Sequence, residues 1–218
     1  MSPIKPTLKT EIASLLMIVI GFILSFYFYA NFPEQVPTHW NIQGQVDGWS
    51  SAGFAAFFFP FLVLGLYLLF LVIPYLDPKK DRYKEFRTTY HLFKGVIVAF
   101  MFVIYLVVGF SGMGYDLDIS IIVSSMVAIL FLLIGSQMPK IKSNWFLGIR
   151  TPWTLSSEKV WQKTHVFGSK TFLIAGLLLF IAGILDGTAS LILFIASILL
   201  AVLAPIVYSY MEFRRVGK

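Results

Sequence analysis

The sequence predicts an all-α, polytopic integral membrane protein with six transmembrane helices and both termini in the cytoplasm. Composition, six long apolar stretches and a one-sided placement of positive charge carry that reading. Of the 218 residues, 58% are hydrophobic and 13% charged, against about 45–50% and about 25% in soluble domains. With a mean hydropathy of +0.81, the polar surface is too small to cover the chain in water, whereas lipid solvates outward apolar faces. The absence of cysteine excludes disulfide scaffolds, thiolate metal sites and cysteine nucleophiles.

The apolar stretches run from Glu11 to Phe32, Ala52 to Leu76, His91 to Phe110, Ile119 to Gln137, Thr171 to Leu185 and Ala189 to Tyr210. Most reach the roughly 20 residues that a helix rising about 1.5 Å per residue needs to cross the hydrocarbon layer. The fifth is short, an apolar run of roughly 15 residues that spans only if the membrane thins or the helix extends through Gly168 and Ser169. The first is too long for a removable signal peptide, and it ends in bulky Tyr27, Phe28, Tyr29 and Phe32 rather than small residues. Pro60, Pro74 and Pro205 are expected at span ends or at kinks whose freed carbonyls need partners. Small residues suited to close helix approach are Ala175, Gly176, Ala182 and Gly183 on the fifth stretch and Ser197, Ala201 and Ala204 on the sixth. The link Asp186 to Ser190 is short enough to make these two an antiparallel hairpin.

Lys and Arg are retained on the cytoplasmic side. Lys5 and Lys9 precede the first stretch, and Lys79, Lys80, Arg82, Lys84, Arg87 and Lys94 lie between or just inside the second and third. Lys140, Lys142, Arg150, Lys159, Lys163 and Lys170 separate the fourth and fifth, and Arg214, Arg215 and Lys218 follow the sixth, which accounts for all 17 basic residues. The other connections carry Glu34, Asp47, Asp116, Asp118 and Asp186. The basic excess therefore reports topology, with no direct nucleic-acid partner. A boundary near residue 76 separates a two-helix N-terminal domain, 1–76, from a four-helix domain, 77–218.

Ionisable groups deep in a span mark proton relays or ion sites. Glu11, His91, Lys94 and Asp186 all fall at predicted span ends, within reach of headgroups or water, which disfavours a coupled transporter. The three histidines, His39, His91 and His165, fall in separate regions, and no HExxH, GxSxG or phosphate-loop pattern occurs. A small-molecule transporter or channel and a membrane enzyme acting on lipid or peptide are the competing classes. Neither finds a catalytic set, a metal set or a cofactor motif.

Two connections are richer than linkers. The external one reads NFPEQVPTHWNIQGQVDGWSS. Pro33, Pro37, Gly44 and Asp47-Gly48 predict an ordered excursion. Trp40 and Trp49 serve either to anchor it at the interface or as part of an acidic, aromatic recognition surface, and His39 with Asp47 or Glu34 is a weak metal set. The internal one reads QMPKIKSNWFLGIRTPWTLSSEKVWQKTHVFGSK. Ser156 is a candidate N-cap for a short helix ending near Gly168, with Glu158 in its first turn and Trp161, Thr164 and His165 along one face. Trp145, Phe146, Trp153 and Trp161 among Lys and Arg suit a segment lying on an anionic leaflet. That reading leaves Asn144, Gly148, Arg150, Thr151 and Pro152 unexplained, and the planar donor fork of Arg150 suits capture of a carboxylate, carbonyl or phosphate.

The segment NWFLGIRTPWTLSSEKVWQKTHVFGSK resembles the signature of the SdpI family, immunity proteins against the secreted SDP peptide toxin of spore-forming bacteria. PEQVPTHWNIQGQVDGW resembles the short membrane domain of unknown function that often precedes it. The resemblance implies a non-enzymatic protein of the bacterial plasma membrane that contacts lipid and protects against a membrane-active peptide toxin. It also implies signalling, by holding a small cytoplasmic repressor at the membrane. The positions that match the main motif are Asn144, Gly148, Arg150, Thr151, Pro152, Trp153, Trp161, His165 and Gly168. In the external loop, Pro37, His39, Gly44, Asp47 and Trp49 match, and Trp40 joins them as a recognition candidate.

Overall fold

The computed structural model describes residues 4–41, 44–185 and 187–216. Among them are seven α-helices: α1 (Leu8–Asn31), α2 (Ala52–Leu76), α3 (Arg87–Gly112), α4 (Ile119–Gln137), α5 (Pro152–Ser156), α6 (Glu158–Ile184) and α7 (Gly187–Val216). All but the short α5 are long and apolar enough to cross a membrane, giving six spans. Strands β1 (Gln35–Trp40) and β2 (Val46–Ser51) form an antiparallel hairpin between α1 and α2. Asp186 and Lys218, which entered the charge and hairpin readings, lie outside the described residues.

The fifth span departs from expectation. The polar segment before Gly168 is not a separate helix capped by Ser156. Ser157 is the N-cap, its side chain accepting from the Val160 N–H, and α6 continues through Ile184. The polar first half and the apolar second half form one helix of 27 residues, about 40 Å at 1.5 Å per residue.

The chain divides into two compact units. One comprises Pro6–Leu71 and Lys94–Val123. Here Thr7 caps α1 in a reciprocal box with Thr10. Phe28, Ala56 and Tyr105 form one apolar cluster, and Ile18, Val63, Tyr67 and Val98 another. Pro60 has no N–H for the carbonyl of Ala56, and the Tyr105 hydroxyl donates to that carbonyl at 3.0 Å while lying 3.1 Å from Ser25 Oγ. Glu11 and Lys94 do not reach water as expected. Both are buried and form an ion pair, with Tyr67 donating to the same carboxylate at 2.9 Å and Thr10 at 2.9 Å. Glu11 is in the first turn of α1, whereas Lys94 lies two turns inside α3, and both sit on inward faces.

The other unit comprises residues 1–5, Val72–Phe93 and Ser124–Lys218. A Cβ on Gly176 would stand 2.9 Å from Leu132 Cγ and 3.0 Å from the Ala128 carbonyl, so glycine is what allows α4 and α6 to touch. Ala175 and Ala182 on α6 and Ser197 and Ala201 on α7 are buried, and the two helices pack on each other. Lys163 and Glu212 join the same two helices at 2.5 Å.

Candidate functional site

The connection from Ile141 to Ser157 is held from both sides. Asn144, fully buried, accepts at Oδ1 from the Phe146 and Leu147 N–H groups at 2.8 and 2.6 Å and donates from Nδ2 to the Lys142 and Leu147 carbonyls, each at 2.9 Å. All its hydrogen-bonding capacity goes into folding the turn around itself. Gly148 then takes φ +109, a region closed to side chains, and a Cβ there would collide with the His165 ring.

His165 fixes the back of the loop. Its Nδ1 faces the Trp161 carbonyl at 2.8 Å and its Nε2 faces the Ile149 N–H at 3.1 Å. A carbonyl on one side and an N–H on the other demand a neutral imidazole carrying its proton on Nδ1. Trp161 stacks on that ring at 4.1 Å and donates from Nε1 to the Ile141 carbonyl at 2.8 Å. It is therefore a buried tie for the loop and does not lie on the leaflet as Trp145 and Phe146 are free to do.

Downstream, Thr151 is the N-cap of α5 in a reciprocal box with Thr154, and Pro152 takes the first helical position. Thr151, extended as the following proline requires, lies 3.0 Å from Ser209 Oγ on α7. Trp153 meets the Tyr210 ring at 5.0 Å, and Gly168 leaves room for Ile149 and Met138. Arg150 donates from Nη1 to the Trp145 carbonyl at 2.6 Å, and its side chain is exposed. All nine candidate positions of this loop thus converge on one structure. Asn144, Gly148, Thr151, Pro152, Trp161, His165 and Gly168 shape it, while Arg150, Trp145 and Phe146 form its exposed surface.

Sequence reading missed the carboxylate beneath the loop. Asp77, buried, accepts from the Lys79 N–H at 2.7 Å, the Tyr83 hydroxyl at 2.8 Å and the Trp145 N–H at 2.9 Å. The available signal was an acid immediately after the last residue of α2, where the helix dipole disfavours negative charge. Lys79 adds a 2.6 Å bond to Ser143, and Arg82 holds Glu158 through two bonds of 2.7 and 3.3 Å.

The hairpin gathers the other candidates. Pro37 pairs with Trp49, His39 with Gly48 and Trp40 with Val46. His39 Nδ1 lies 2.5 Å from Asp47 Oδ1, both exposed, and no group of three or more His, Asp or Glu stands together among the described residues. The two tryptophans differ. Trp40 packs on the cluster of Val36, Ala55 and Val108, whereas Trp49 is 56% exposed. Gly44, at φ +76, lies beside Ser120.

Six helices long and apolar enough to span, with a densely hydrogen-bonded polar loop and a hairpin between the first two, define a multi-pass membrane protein. Residues 140–209 match the SdpI/YfhL protein family, and residues 16–64 match a domain of unknown function (DUF1648). The resemblance read from the two loop motifs is thereby upheld. Over 210 residues, 96% of this chain and 99% of the relative, the sequence is 24% identical to the immunity protein SdpI of Bacillus subtilis strain 168. No solved structure matches the chain.

Proposed function

We propose that this protein is a membrane immunity protein that protects its cell from a secreted antimicrobial peptide. The observation that carries this is similarity extending over 96% of this chain and 99% of a known immunity protein, together with both loop motifs. Protection on this reading is non-catalytic. Both termini and the loop from Ile141 to Ser157 face the cytoplasm, because every basic residue lies in a segment on that side, and the hairpin faces out. The N-terminal domain, 1–76, meets the toxin through its hairpin. The four-helix domain, 77–218, presents Arg150, Trp145 and Phe146 to a small cytoplasmic repressor, which it holds at the membrane once toxin is bound.

Expression in a toxin-sensitive strain tests the reading directly, with survival in added peptide as the readout. The wild-type chain confers survival. Trp49→Ala lowers survival at unchanged membrane protein level, because an exposed contact is lost while the packing around Trp40 remains. No protection by the wild-type chain against any secreted membrane-active peptide would end the proposal.

A further inference from the structure

A cleft of about 430 Å³ opens between the 3-10 turn Lys80–Phe86 with the start of α3 on one side and the residues after α4 on the other. Its charged lining is Lys84, Arg87, Lys140 and Lys142, with Glu85 as the single acid. Glu85 is engaged by Arg82 at 3.0 Å, so its charge is spent on a neighbour. Lys84 reaches the exposed Asp81 at 3.2 Å and Lys140 donates to Gln137. The side chains of Arg87 and Lys142 are exposed and make no hydrogen bond or ion pair among the described residues. The hydroxyl-bearing Thr88 and Thr89 and the apolar Phe86 complete the wall.

Like charges crowded around a cleft repel one another unless an anion sits among them. We infer that this cleft binds the phosphate group of an anionic phospholipid. Guanidinium and ammonium groups match phosphate oxygens. Arg87 opens α3 and Lys140 closes the turn after α4, both spans, so the cleft lies at the ends of membrane-crossing helices, where headgroups supply phosphate at high local density. Free phosphate offers the same chemistry but not the concentration of phosphate that headgroups provide at these helix ends.

The test is native mass spectrometry of the full chain released from nanodiscs of phosphatidylglycerol or phosphatidylcholine, with inorganic phosphate added in a separate arm. The wild type retains phosphatidylglycerol in preference to phosphatidylcholine, and millimolar phosphate does not displace it. Arg87→Gln with Lys142→Gln weakens retention roughly thirtyfold. Arg87→Lys with Lys142→Arg keeps it, and the control Lys159→Gln with Lys170→Gln, which removes as much charge elsewhere, leaves it unchanged. Undiminished retention in the Gln pair overturns the site, equal weakening in the control reduces it to general surface charge, and displacement by phosphate overturns the lipid assignment.

Discussion

Replacing Asp77 by Asn keeps the shape of the side chain and converts one acceptor edge into a donor. The Lys79 N–H, the Tyr83 hydroxyl and the Trp145 N–H all point at this carboxylate, so at least one donor is left facing another donor. Asp77→Asn should destabilise the protein by about 1–3 kcal/mol, read as a lowered unfolding midpoint in detergent; an unchanged midpoint would mean that the loop does not depend on the bond to Trp145. Arg150 differs because its fork is only partly used, one nitrogen holding the Trp145 carbonyl. Arg150→Lys supplies the charge but not two parallel donors. It should lose nearly as much protection as Arg150→Ala, both variants inserting normally, and a fully protective Lys variant would remove Arg150 from the site. Asn144, Gly148 and Pro152 were visible in the sequence because their residue types answer to special backbone geometry. Asp77 was not, since its partner Trp145 is 68 positions away and no local pattern links them.

Hydropathy located all six spans, with bounds that coincide at α2 and α4. It undercounted α6 because the stretch Glu158 to Lys170 is polar, and what makes that stretch helical is its buried face of Val160, Trp161, Thr164 and His165 under the loop. The hairpin was read as turns, since Pro37, Gly44 and Asp47-Gly48 outweigh the alternation of Val36, Thr38 and Trp40. Burial of Glu11 and Lys94 was equally hidden, because linear position reports depth along a helix but not the face a residue occupies. Removing one partner of such a pair strands the other charge, at about 3–5 kcal/mol. Glu11→Gln should therefore lower the unfolding midpoint in detergent more than the double change Glu11→Met with Lys94→Met, which removes both charges. If the double variant is the less stable, the pair contributes net binding energy between its helices.

Topology belongs to the whole molecule. Reporter fusions after Phe32 and after Asp116 should read as external, and fusions after Asp81, Lys159 and Arg215 as cytoplasmic. An external signal at Lys159 would reverse the loop and with it the assignment of toxin and repressor sides. The chain's fold class was legible from bulk properties, because lipid as solvent imposes length and charge rules on every span. The site's internal bonding was not, because it depends on contacts among α2, the 3-10 turn, α6 and α7 that only folding brings together. One of those contacts has a mechanical consequence. His165 and Trp161 grip the loop from the first turns of α6, and the remaining turns of that helix are the fifth span. Loop and span are thus two ends of a lever about 40 Å long, and a change of about 3° in its tilt, from bilayer thickness or from a peptide lodged beside it, would carry Arg150 and Trp145 through about 2 Å.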